Sequence, residues 1–318
     1  MGGPYASKVA TLGGKPTKGL DIPIDAVFLT LFLCAGAAHM RLYIMNKKRG
    51  HKFIPSAVTF GFCMSRVVAN IMRITWACYP SNVSVGIAAS VFVAAGILLL
   101  FILNLIYAQR MLRAAFPKVG WSPIGSYLFK GMIAVVLLTL VMLITVLIQG
   151  SYTLDTSILQ IDHKIQLYGV AYFAVIAFLP LPITILVLIF SYGKQVEPFG
   201  SGSWAAKGAI VLTAGTLLCL GASFRAATNY LPTHLITESP PYDSKACFYI
   251  FDFGIDITVV LFFLVTRVDQ RFYVPDGSSK VRHFRGTGVD QKDGVSENAS
   301  IERKEETIVP LPETHAEV

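Results

Sequence analysis

Residues 126–148 read SYLFKGMIAVVLLTLVMLITVLI, a run in which Lys130 is the only charge. A helix rises about 1.5 Å per residue, so this run can cross a hydrocarbon core about 30 Å thick. Inside lipid the backbone has no water to bond and must satisfy its own hydrogen bonds, which makes the run a helix. Six further stretches have the same character: 24–44, 55–78, 85–107, 167–190, 208–230 and 247–266. The alternating pattern of a membrane barrel is absent. The expected fold class is all-α, an integral membrane bundle of seven transmembrane helices.

Composition agrees. Of 318 residues, 54% are apolar and only 14% charged, with a mean hydropathy of +0.59; a soluble domain carries about a quarter charged residues. The formal charge of +8 invites a nucleic-acid reading, but its placement argues against one. Arg41, Lys47, Lys48, Arg49 and Lys52 crowd the first connection, Arg110, Arg113 and Lys118 the third, and Lys194 and Lys207 the fifth. The alternate connections hold Lys164 and Lys245 among Asp155, Asp162, Glu238 and Asp243. Basic residues on every second connection follow the positive-inside rule. The expectation is an N-terminal tail (1–23) outside, a seven-helix domain (24–266), and a cytosolic C-terminal tail (267–318). No nucleic acid is implied; the surplus charge serves topology and anionic headgroups.

The first 21 residues are polar and Gly-rich, so no cleavable signal peptide is expected. Segment 108–125 reads as an interfacial turn with Met111, Leu112, Phe116 and Trp121 as apolar anchors. Trp76, Tyr79, Tyr107, Tyr127, Tyr168, Tyr192, Trp204 and Tyr230 fall near helix ends, where amphipathic rings favour the membrane interface. Pro180 and Pro182 remove backbone donors from the fifth helix and predict a kink. In the tail, a basic juxtamembrane segment (Arg267, Arg271, Lys280, Arg282, Arg285) gives way to Glu297, Glu302, Glu305, Glu306, Glu313 and Glu317 among Ser, Thr and Pro. Such low hydrophobicity predicts disorder.

Ionisable residues deep in membrane helices are scarce and face partners or cavities. In the second stretch Arg66, Asn70 and Arg73 share one helical stripe; in the seventh, Asp252 and Asp256 share a face; the sixth carries Arg225. Arg73, Arg225 and Asp252 lie roughly 7–8 Å inside the outer ends of their helices, Asp256 roughly 13 Å and Arg66 roughly 18 Å. Helices two, six and seven could therefore place three guanidiniums and two carboxylates around one outward-facing cavity. Two readings remain open: an ion-pair network that only locks helices together, or a ligand site. The one surplus positive charge makes an anionic or phosphate-bearing amphiphile the natural guest of such a site, held by bidentate Arg contacts.

Cys78 and Cys247 sit at outer helix ends and are candidates for a disulfide; Cys34, Cys63 and Cys219 read as core. Asn82-Val-Ser84 is a candidate glycosylation sequon outside, while Asn298-Ala-Ser300 falls in the cytosolic tail. The six histidines show no metal-ligand spacing. No phosphate loop and no nucleophile elbow is present, and 247–266 has no Lys to carry a retinal Schiff base. Neither an enzyme, a metal nor a cofactor is expected.

Gly221-Ala-Ser-Phe-Arg225, Lys245-Ala-Cys-Phe-Tyr-Ile-Phe-Asp252 and Arg267-Val-Asp-Gln-Arg-Phe-Tyr-Val-Pro275 resemble a fungal family of seven-helix membrane proteins. That family is a domain of unknown function, sometimes labelled family-C-like G-protein-coupled receptors, and the resemblance covers about residues 20–280. It implies a fungal source and no established activity. Phe224-Arg225 and Tyr249-Ile-Phe-Asp252 are also similar, more weakly, to the fungal lipid-translocating exporter family. Three functions are therefore carried forward. One is a receptor-like protein sensing an anionic or lipid-like ligand and engaging a cytosolic signalling partner through its basic loops and tail. The others are a lipid or amphiphile translocator and a membrane scaffold. Each would sit in the plasma membrane or another membrane of the secretory pathway.

Overall fold

The computed structural model describes residues 3–284 apart from 7, 8, 97, 233, 239, 276, 277 and 279–282. Among them, seven helices are long and apolar enough to cross a membrane. We number them α1 (Asp21–Lys48), α2 (Ile54–Cys78), α3 (Val83–Ala115), α4 (Pro123–Tyr152), α5 (Thr156–Phe190), α6 (Trp204–Tyr230) and α7 (Lys245–Val265). Apart from an isolated bridge between Val9 and Leu235, no strand pairing occurs among the described residues. The protein is a multi-pass helical membrane protein. Most of the acidic tail, with Asn298, the glutamates from Glu297 onward, and the basic residues Lys280, Arg282 and Arg285, lies outside the described residues.

The helices start and stop where local chemistry directs. Ser122, Asp155 and Ser203 cap the N-termini of α4, α5 and α6 by accepting from the backbone N–H of Gly125, Ser157 and Ala206. Pro55 sits in the first turn of α2, where its missing donor costs nothing. The kink expected in α5 falls at Leu179, where one helical segment ends at Phe178 and the next begins at Pro180.

Around the bundle, α1 packs on α2, α2 on α3, α3 on both α5 and α6, α5 on α6, α6 on α7, and α7 back on α1. Helix α4 stands outside this ring against α3 and α5 and is the least buried span; α7 is the most buried.

The interfacial reading of 108–125 needs correcting. Helix α3 continues to Ala115, followed by one helical turn at Pro117–Gly120. Met111 is fully buried and Trp121 nearly so, while Leu112 and Phe116 pack against the same core. The apolar stripe of α3 runs on beyond its membrane-crossing length and meets the residues after α7. For the same reason Tyr107 is no interfacial ring. It is fully buried, edge-on to Phe263 and 4.7 Å between centroids from Phe272. Tyr79, Tyr127, Tyr168, Tyr192 and Tyr230 are exposed. Lys207 lies in the first turn of α6 rather than in a loop, with its Nζ donating to Phe199 O.

At the end of the bundle that carries the N-terminal tail, the described residues among 3–20 form a strap. Tyr5 N donates to Ser151 O at 2.8 Å, Ala10 N to His234 O at 2.8 Å and Gly13 N to Asp243 O at 2.9 Å. Gly13 has a φ of +77°, and a Cβ there would lie 2.6 Å from the Phe248 ring. Only glycine fits.

Candidate functional site

Seen from its residues upward, the charged region begins in α7. Between Tyr249 and Gly254 this helix opens into a π-turn. Such a turn inserts one residue into the helical repeat and re-aims the side chains around it. Tyr249, Asp252 and Phe253 then all face inward and are buried, as is Asp256 one turn on.

Arg66 is wholly buried at the middle of α2. Its Nε donates to Asp256 Oδ2 at 2.7 Å, its Nη2 lies 2.5 Å from the same oxygen, and its Nη1 donates to Val93 O on α3 at 2.7 Å. The guanidinium carbon sits 5.4 Å from the Phe62 ring centroid and 5.5 Å from that of Phe253, so ring faces replace part of the lost hydration. Gly96 of α3 lets the guanidinium approach: a Cβ there would fall 3.0 Å from Cζ. Asn70 is buried on the same stripe, and its Nδ2 donates to Arg66 O at 2.7 Å.

Arg225 of α6 pairs with Asp252, Nη1 to Oδ1 at 3.1 Å. Phe224 stacks on Phe251 at 3.9 Å beside this pair.

Arg73 turns elsewhere. Its Nη2 donates to Asp21 Oδ1 and to Tyr249 Oη, both at 3.3 Å, and its Nε lies 3.5 Å from Asp25 Oδ1. Its guanidinium covers the Phe248 ring at 4.1 Å. Tyr249 Oη donates to Asp21 Oδ1 at 3.0 Å. Asp21 Oδ2 accepts from Thr17 N at 2.6 Å, from Thr17 Oγ1 at 2.8 Å and from Lys245 Nζ.

Arg66, Arg225, Asp252 and Asp256, with Asn70 beside Arg66, are buried or half-buried where side chains of α2, α6 and α7 meet, whereas Arg73 is drawn to the aspartates of α1. Four residues were missed: Asp21 and Asp25 of α1, and Lys245 and Tyr249 at the start of α7. Both aspartates lie in the first two turns of α1; Asp21 fell in the expected tail (1–23) and Asp25 at the second position of the expected first span (24–44). Their four-residue spacing, the same as Asp252 and Asp256, was the available signal.

These additions change the charge account. Arg66, Arg73, Arg225 and Lys245 face Asp21, Asp25, Asp252 and Asp256, four against four. The surplus positive charge on which an anionic guest rested is gone. Openness changes too, since Arg66, Asp21, Asp25 and Asp256 are fully buried and Arg73 and Asp252 nearly so. Arg225, 18% exposed, and Lys245, 26% exposed, are the members that meet the surface.

Balance does not bring full satisfaction. Both carboxylate oxygens of Asp25, Oδ1 of Asp252 and Asp256, Oδ1 of Asn70 and Nη2 of Arg225 are buried without a hydrogen bond, although Asp25 and Asp252 keep their ion pairs. Buried groups of this kind call for a reason, such as strain or a second state.

The disulfide between Cys78 and Cys247 is not formed; both thiols are free. Long arginine side chains, not close backbones, bridge α2 to α7, and Cys247 Sγ instead points to Pro241 O at 4.0 Å. Asn82 is exposed in the short turn before α3, where its Oδ1 accepts from Val85 N at 3.3 Å.

A second polar cluster closes the opposite end of the bundle. Asp269, just after α7, accepts from Asn46 Nδ2 at 2.9 Å and from Arg267 Nε and Nη2 at 3.1 and 3.2 Å. Burial alone would raise its pKa, but the bonds from Arg267 and Asn46 outweigh that and hold it below the usual 3.8. Further along, Phe284 is buried among Trp121 and Phe199, with its backbone N–H donating to Glu197 Oε1 at 2.6 Å.

One family model, described as a protein of unknown function (DUF3112), matches residues 203–273. The matched segment spans α6, α7 and the turn beyond, and so contains Arg225, Lys245, Tyr249, Asp252, Asp256 and Asp269. Neither the curated proteins nor the solved structures contain a match.

Proposed function

We propose that this chain is a receptor-like membrane protein in which the buried charge network is a latch across α1, α2, α6 and α7. Its N-terminal tail would face outward and its basic loops and tail the cytosol, a reading the distribution of Lys and Arg supports. The observation that carries the reading is the combination of charge balance with unmet hydrogen-bonding capacity. A neutral buried network is tolerated in lipid. One whose members keep unused donors and acceptors has spare partners for a second arrangement, which a purely structural clamp would not need. Buried ion pairs are poor sources of stability, and setting register or switching between packings is their better-attested use.

A ligand acting at the strap would shift this equilibrium only through its different affinity for the latched and unlatched packings. The strap is bonded to the α6–α7 connection, and Lys245 of α7 is bonded to Thr17 and Asp21, so its displacement is felt directly by the network.

A second reading, a lipid or amphiphile translocator, is favoured by Arg225, whose side chain is 18% exposed and so is placed to meet an anionic headgroup. One pair of assays separates the two. The purified chain is reconstituted with fluorescent lipids to follow transbilayer movement, and G-protein engagement is followed in cells, each with wild type and Asp252→Asn. Engagement that changes in the variant, without lipid movement, supports the latch. Lipid movement abolished by the variant supports translocation, and neither activity leaves a scaffold.

A further inference from the structure

A carboxylate unrelated to the latch lies between α4 and α5. Asp162 is 5% exposed, its Oδ2 is buried with no hydrogen-bond partner, and no ion pair reaches it among the described residues. It borders a groove of about 360 Å³, within the range of ligand pockets, about 300–1,000 Å³. Each wall is one helical stripe. Met142, Val146 and Gln149 come from α4, and Ile158, Asp162 and Ile165 from α5. Because α4 stands outside the ring, the groove opens on the outer surface of the bundle, where Gln149 and Ile161 are exposed. That surface faces lipid. Lys164, the nearest cation in sequence, is exposed and two residues away on a different face.

An unpaired carboxylate in such a place needs a counter-charge or a proton. We infer that the α4–α5 groove binds a primary ammonium carried on an apolar chain, with Asp162 as its counter-ion. The arrangement has the right polarity. Asp162 and Gln149 lie toward the helix ends, roughly 9 Å inside the start of α5, at the depth of the bilayer interface. Met142 and Ile165 lie deeper. An amphiphile entering sideways from the bilayer would thus place its head at Asp162 and its chain along apolar side chains toward the midplane. Gly150 of α4 keeps space beside the carboxylate: even a Cβ there would stay 3.7 Å from Oδ2. None of the latch residues lies on α4 or α5, so the inference stands apart from the latch reading.

The test uses the full chain in phosphatidylcholine nanodiscs and tritiated dodecylamine at neutral pH, with dodecanol as the uncharged competitor. The expected result is a saturable component of one amine per chain, little displaced by dodecanol. Asp162→Asn should weaken it by at least about tenfold, as loss of a buried charge partner does, while Asp162→Glu retains it. Met142→Trp, which fills the groove and leaves the carboxylate, should abolish it. Adding phosphatidylethanolamine distinguishes the source: suppressed amine binding identifies a lipid headgroup as the occupant, and unchanged binding a free amphiphilic amine. Non-saturable uptake by wild type overturns the inference, as does equal binding by Asp162→Asn. Should Asp162→Asn fail to fold, Met142→Trp decides, loss supporting the site and retention refuting it.

Discussion

Arg66 shows how a guanidinium is accommodated near the middle of a membrane helix. Its charge is met by Asp256 on α7, a carbonyl of α3 and two ring faces. Removing one partner leaves the other buried and unpaired, so Arg66→Met and Asp256→Asn should each cost about 3–5 kcal/mol. Replacing both with apolar residues, Arg66→Met with Asp256→Leu, should recover most of that loss. Detergent unfolding of the purified chain measures all three. Gly96→Ala should also destabilise, by about 1–3 kcal/mol, because its methyl group would press on the guanidinium. Asp269 makes a pH-dependent contribution at the other end. Its folded pKa lies below the usual value of 3.8, so its stabilisation is complete above the unfolded pKa and is lost as pH falls through the folded one. The stability difference between wild type and Asp269→Asn should therefore be constant near neutrality and shrink below about pH 4.

At the scale of elements, the π-turn of α7 and the N-terminal strap are the parts most open to test. Deleting Ile250, which is exposed, would remove the inserted residue and return the turn to α-helical spacing, with Tyr249 and Asp256 still in register but Asp252 re-aimed between them. Arg225 would then lose its approach to Asp252, and the folded yield in detergent should fall. Gly13→Val meets both a positive φ and the Phe248 ring. Hydrogen exchange should rise at Ala10 and Gly13, whose amides bond the α6–α7 connection, and stay unchanged in the interior of α3. Much of this level was readable in the sequence. Apolar run length gave all seven spans, and Pro180 gave the break in α5. The continuation of α3 to Ala115 was hidden because Arg110 and Arg113 break the apolar run. Their charges are absorbed by partners outside the helix, Arg110 by the distant Phe272 O and Arg113 by Gly120 O and the Trp121 ring in the turn that follows. The π-turn left no trace in residue types.

For the whole molecule, the pairing of Arg66 and Arg225 with the aspartates of α7 followed from scarcity and depth alone, because charges in lipid must find one another, whereas the partners of Arg73 on α1 did not. Which carboxylate serves which arginine did not follow. That depended on α1 closing the ring against α7 and on the strap holding Lys245 near Asp21, both set by long-range packing that hydropathy does not encode. With Asp21 and Asp25 included, four helices share a neutral core of charges instead of three helices sharing a positive cavity. The most direct test is a charge-reversal cycle on the pair joining α6 to α7, with Arg225→Asp, Asp252→Arg and the two together, read as folded monomer after detergent extraction. Direct pairing predicts that each single change loses most of the folded protein and that the double change restores a large part of it. A double variant no better than the worse single one would contradict the network.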